Sequence, residues 1–103
     1  MRIARVVGAA TGTAKAEGLA GRKLLVVDIV DAAGKVVQSG EIAVDDLGAG
    51  VDDWVVLATG SAARQTGSTR GLPVDAAVIA ILDEVVVGGK SIHRSTDKPK
   101  RRR

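Results

Sequence analysis

Cysteine is absent from this 103-residue chain, and with it go disulfides, thiolate catalysis, Fe–S clusters and Cys-based zinc sites. Phenylalanine and tyrosine are absent too, so Trp54 is the only aromatic anchor. Histidine occurs once, as His93, and a His-rich metal site cannot form within one chain. No run approaches the ~18 apolar residues that a membrane helix needs. The first residues, Met1-Arg2-Ile3-Ala4-Arg5-Val6-Val7, lack the apolar stretch of a secretory signal. The expectation is a soluble, cytoplasmic protein with no membrane partner.

What is present is small and branched. The chain holds 16 Ala, 16 Val, 7 Leu and 6 Ile. Valine favours strands, and a core of such residues suits a compact sheet better than a deep aromatic-lined pocket. The length is that of one domain. The net charge of +3 is unevenly divided. Residues 94–103 carry six basic side chains (Arg94, Lys98, Lys100, Arg101, Arg102, Arg103) against Asp97, which leaves residues 1–93 at −2. The basic character belongs to the tail, and a body without basic excess argues against a nucleic-acid-binding surface. Residues 1–93 therefore read as the domain, and 94–103 as a basic, disordered tail.

Along the chain, Arg2–Thr13 reads as a first strand and Ala14–Gly21 as a polar, glycine-punctuated loop. Arg22–Asp31 and Lys35–Val44 form a hairpin around the turn Asp31-Ala32-Ala33-Gly34. Asp45–Asp53 is an acidic loop, and Trp54–Ala58 a short fourth strand. A helix of one or two turns follows at Gly60–Gln65, with Thr59 or Ser61 as N-cap. Ala76–Val87 is the most apolar run, and its β-branched content predicts a strand, ended by Gly88-Gly89. Five strands with one short helix between the fourth and fifth, joined by Gly-rich turns, predict an all-β fold, a small closed or partly closed barrel.

Few constellations carry chemistry. Gly48-Ala49-Gly50 is a bare Gly-x-Gly flanked by Asp45, Asp46, Asp52 and Asp53. Those carboxylates would repel a phosphate, no helix start follows, and the full fingerprint is missing. A tight turn or a close backbone approach is the better reading. The four acids do not follow calcium-loop spacing, and the plain reading is a solvated acidic loop. Ser61 has no partner base in the sequence and no Gly-x-Ser-x-Gly elbow. As an N-cap it leaves Arg64 as a candidate for a contact across a subunit boundary. Trp54, set among strand residues, reads as a core or interface filler. Catalytic residues, cofactor and metal are all expected to be none.

Taken together and in order, several segments resemble the pentameric vertex proteins of bacterial microcompartment shells, the EutN/CcmL family. They are Met1–Val6, the run Val44-Asp45-Asp46-Leu47-Gly48-Ala49-Gly50-Val51-Asp52-Asp53-Trp54-Val55, Gly60-Ser61-Ala62-Ala63-Arg64, and Pro73–Asp83. The resemblance covers Met1 to about His93. It implies a five-stranded OB-like barrel assembling as a homopentamer with no enzymatic activity. Such pentamers cap the fivefold vertices of a carboxysome or metabolosome shell whose facets are hexameric or pseudohexameric tiles. They introduce curvature, close the shell and carry a narrow axial pore. A ring joins one patch to a different patch on its neighbour. Gly60, Ser61, Ala62, Ala63 and Arg64 are the candidate subunit interface, and Gly48, Ala49 and Gly50 the candidate crowded axial loop. The tail beyond His93 has no counterpart in the family, and the body is poorer in aromatics than related chains.

Two other classes compete. An OB-fold single-stranded nucleic-acid binder fits a small barrel with a basic tail, but not a net −2 body without stacking aromatics. A small-molecule enzyme lacks a nucleophile–base pair and a pocket chemistry able to orient a substrate.

Overall fold

Alternation of small apolar residues with polar ones turns Ala4 and Val6 inward from the first strand, β1 (Arg2–Ala10). The same period brings Leu25, Val27 and Ile29 inward from β2 (Lys23–Val30) and Ala43 from β3 (Val36–Asp45). Val55 and Leu57 come from β4 (Trp54–Thr59), and Ala76 and Val78 from β5 (Ala76–Leu82). The computed structural model describes residues 1–13 and 15–95. Its strands close into a barrel in the order β1-β2-β3-β5-β4, with β4 returning to β1. Few strands enclose little space, which is why a core of Val and Leu interleaved with Ala fills it.

The barrel bends where its ladders slip. In β1 the register shifts between Val6 and Gly8, an irregularity of the kind that bends a strand round a tight barrel. At that point Val6 exchanges backbone hydrogen bonds with the segment just ahead of β4, donating to the Asp53 carbonyl and accepting from the Asp52 amide, each at 2.9 Å. Closure is weakest between β3 and β5, which run parallel and pair only at Val44 and Ala77.

That seam is covered from outside. After β4 the chain turns through a 3₁₀ segment, Gly60–Arg64, whose buried Ala63 packs with Val44 and Ala77 and with the half-buried Leu24 and Val74. The predicted short helix is therefore present as a 3₁₀ turn between the fourth and fifth strands. Thr59 occupies its N-cap position, but no side chain caps it, and Ser61 is exposed.

The end of the chain departs from the sequence reading. The run expected as one strand over Ala76–Val87 breaks at Asp83, and its second half is β6 (Glu84–Val87). Gly88-Gly89 does not end the structure but turns it into β7 (Lys90–Arg94), paired antiparallel with β6. Both glycines have positive φ, 59° and 77°, as a two-residue hairpin turn matching the strand twist requires. Arg94, where the basic tail was taken to begin, is the last residue of β7. The remainder of that tail, residues 96–103, lies outside the described residues.

Trp54 and His93 join hairpin to barrel. Their rings stack at a centroid distance of 4.8 Å with 9° between planes. Trp54 also lies over the turn between β2 and β3, where a Cβ on Gly34 would stand 3.4 Å from the indole. The filler role expected of Trp54 is thus at the junction of two sheets. His93 Nε2 is buried there without a hydrogen-bond partner.

Candidate functional site

The loop between β3 and β4 is organised by one carboxylate. Asp45, the last residue of β3, is buried and accepts backbone hydrogen bonds from Leu47 (2.9 Å), Gly48 (3.2 Å) and Ala49 (2.9 Å). Lys23, at the start of β2, reaches across to donate to the Ala49 carbonyl at 2.6 Å and lies 3.8 Å from the Asp45 carboxylate. At the far end of the loop, Gly50 donates to Asp53 Oδ2 at 2.7 Å, and Asp52 takes a φ of 73°, which Asp tolerates better than most residues. The expectation of a solvated acidic loop is therefore corrected for Asp45. Its charge is turned inward to collect amides that the turn would otherwise leave unpaired.

This geometry separates the members of the candidate axial loop. Ala49 is fully buried and belongs to the barrel core. It cannot present its side chain at an axis, and it acts as the plug that fixes the loop to the barrel. Gly48 is exposed, with a φ of 88° and no atom of its own chain within 4 Å of where a Cβ would stand. Within one copy, then, Gly48 answers to backbone conformation and not to crowding. Leu47 and Val51 beside it are exposed apolar side chains, 53% and 42% accessible.

The second candidate segment, Gly60–Arg64, packs on the β3–β5 seam through Ala63. Gly60 has a φ of 61° and donates its amide to the Asp75 carbonyl at 2.9 Å. Ala63 is buried within its own chain, and its carbonyl accepts from the Thr69 hydroxyl. Arg64 donates from Nη1 to the Val74 carbonyl at 3.1 Å. Part of its fork is thus engaged in holding the 66–75 excursion, and a guanidinium has further donors to offer. Ser61 and Ala62 are exposed.

Catalytic and nucleic-acid readings gain nothing from this arrangement. Among the described residues there is no cluster of three or more His, Cys, Asp or Glu side chains able to hold a metal. The single imidazole is stacked on Trp54. Three basic side chains sit beside acids: Arg22 on Asp46 at 3.3 Å, Lys23 on Asp45, and Arg5 at 4.0 Å from Asp28. Charges matched in this way do not form the uncompensated stripe that tracks a phosphate backbone. What the surface does offer is apolar area on strands, including Val36, Val37 and Ile42 on β3 and Ile79 and Ile81 on β5. Exposed apolar patches of this kind mark contact with other protein.

The sequence reading missed three functional-looking elements: the Asp45–Lys23 network, the Trp54–His93 stack and the β6–β7 hairpin. The first had a local signal, an Asp followed by Leu47-Gly48 in a turn. The hairpin had a stronger one, two branched runs separated by Gly-Gly. The stack had none, because it joins residues far apart in sequence.

Comparison with known proteins agrees on the class of molecule. The family model described as "Ethanolamine utilisation protein EutN/carboxysome" matches residues 1–83. The chain is 48% identical over 93 residues to the carboxysome shell vertex protein CcmL of Synechococcus elongatus, covering 90% of this chain and 94% of that one. It is 45% identical over 92 residues to the bacterial microcompartment shell vertex protein EutN of Salmonella typhimurium, covering 89% and 93%. Among solved structures, the GrpN pentameric microcompartment shell protein from Rhodospirillum rubrum superimposes with a TM-score of 0.76 at 38% identity, covering 84% of this chain and 99% of that one.

Proposed function

The chain belongs to the EutN/CcmL family, and we propose that it is a structural subunit of a bacterial microcompartment shell, not an enzyme. Five copies form a ring that caps a fivefold vertex in the cytoplasm, among hexameric or pseudohexameric facet tiles. The ring introduces curvature, closes the shell and leaves a narrow pore on its axis. The observation that carries this reading is likeness over nearly the whole chain to proteins named for the shell vertex. The exposed apolar strand faces support it.

Within the ring, the loop's exposed Gly48 and half-buried Gly50 face the axis, held in place by buried Ala49 and by the amides gathered on Asp45. Small side chains there let five copies converge. Gly60, Ser61, Ala62, Ala63 and Arg64 border the neighbouring subunit. The exposed Ser61 and Ala62 allow close backbone approach, and the remaining donors of Arg64 reach carbonyls or a carboxylate across the boundary.

Native mass spectrometry of the full chain tests the ring directly, with five copies expected. Material that stays a single copy at high concentration, and that fails to cap shells assembled from compatible tiles, overturns the proposal. Arg64→Ala is expected to shift the population towards the monomer, and an undisturbed pentamer removes Arg64 from the interface.

A further inference from the structure

The β6–β7 hairpin is a sheet of its own, and neither of its strands enters the ladders of the barrel. A single exposed residue, Asp83, separates β5 from β6. The chain enters the hairpin there and leaves it at Ser95. These two residues are tied to each other, the Ser95 amide donating to the Asp83 carbonyl at 2.8 Å. The hairpin can therefore turn as one body about Asp83 without parting a rung of either sheet.

What the hairpin lays against the barrel is narrow. Val85 and His93 are directly opposed and so share one face. Both are only half-buried, and no residue of either strand is fully covered. His93 makes the contact by stacking on Trp54 with 9° between the ring planes. Covering the indole favours this arrangement, but the same contact carries a cost. His93 Nε2 is buried there with no hydrogen-bond partner, and it regains water once the hairpin leaves the barrel. A ring stack is a modest gain, and a buried nitrogen left unpaired costs as much or more. Attachment and release are thus close in free energy, as expected of the part of a fold that moves.

We propose that the hairpin is a hinged strap. It exchanges between the arrangement laid over Trp54 and one swung out about Asp83, and the Trp54–His93 stack is its catch. Release bares one face of the chain's only tryptophan, while the turn at Gly34 stays against the indole. The device lies within one copy and does not depend on the ring proposed above.

The single tryptophan makes the catch directly observable. Acrylamide quenching of Trp54 and amide exchange over residues 84–94 are measured on the full chain at one neutral pH, for the parent, His93→Ala and His93→Phe. A released two-stranded hairpin is marginal in water, so its amides exchange once it swings out. Loss of the stack in His93→Ala is expected to speed that exchange about tenfold and to make Trp54 more easily quenched, with exchange in β2 and β4 unchanged. Phenylalanine keeps a flat ring for the stack and has no nitrogen to leave unpaired. His93→Phe is therefore expected to slow hairpin exchange about tenfold relative to the parent. Opposite responses to the two substitutions mark a catch held near balance. Hairpin exchange in His93→Phe no slower than in the parent overturns the strap. Unchanged quenching and exchange in His93→Ala overturn it as well, and so does loosening of β2 and β4 in step with the hairpin.

Discussion

The barrel and the hairpin are built from the same residues and have opposite fates. Val27 and Val55 are wholly buried, whereas Val86 and Val87, on a run just as rich in valine, stand open to solvent. No residue of β6 or β7 is buried. The difference is one of closure. Five strands that return on themselves give every inward side chain a neighbour on each side, while two strands have one face too many. A two-stranded hairpin is marginal in water, and this one is held at its base by a ring stack, a backbone hydrogen bond and the Arg94–Glu84 pair at 3.0 Å. Apolar composition therefore says that a segment wants to be covered, and topology decides whether its own chain covers it.

Substitutions in the two regions should separate that claim by size. The largest effect is expected in the barrel. Leu57→Ala removes a fully buried side chain from the core and should cost ~2–5 kcal/mol, read as a lower midpoint of cooperative unfolding. A loss under ~1 kcal/mol would mean that the core relaxes around the gap far more freely than a closed barrel allows.

An intermediate effect belongs to the loop. Asp45→Ala strands the amides of Leu47, Gly48 and Ala49 and should cost ~1–3 kcal/mol. Faster amide exchange is expected at residues 47–50, with Asp45→Asn retaining part of the protection. Exchange unchanged from the parent would remove Asp45 as the organiser of that loop.

The smallest effect is expected in the hairpin and depends on pH. The hydrogen bond from Arg94, with a lesser one from Ser91, holds the Glu84 carboxyl below the usual glutamate range. A depressed folded-state pKa means that the contribution is complete above the ordinary glutamate value and is lost as pH falls through the lowered one. Acid should therefore speed amide exchange in β6 and β7 before it disturbs the barrel. Glu84→Gln should abolish that difference while changing overall unfolding little, since the pair is exposed. Barrel and hairpin loosening together as pH falls would break the distinction between them.

Much of the barrel was legible from local pattern. Loose alternation over Arg2–Thr13 and the nearly continuous branched apolar run of Arg22–Asp31 located the first two strands, since such residues suit a pleated, half-buried surface. The turn at Asp31–Gly34 was legible because its chemistry is local: Asp31 Oδ1 accepts the amides of Ala33 and Lys35, and Gly34 takes a φ of 81°. The run Ala76–Val87 was not legible as two elements, since continuous apolar character carries no mark of where pairing changes partner. In the candidate site, the sequence pointed to Gly48, Ala49 and Gly50 as a unit. The structure divides them, with Ala49 in the core and Gly48 at the surface.

The sequence by itself determined the class of molecule. Small branched residues in strand-forming runs point to a β-built chain, because that property follows from side-chain chemistry and near-neighbour spacing alone. Tertiary structure decided which valines are core and which are left exposed, that Asp45 faces inward, and that Trp54 meets His93. Asp45 carries a local turn signal, but the fate of each valine and the meeting of Trp54 with His93 depend on residues distant in sequence being brought together as the strands close into a barrel, and no local pattern encodes that encounter.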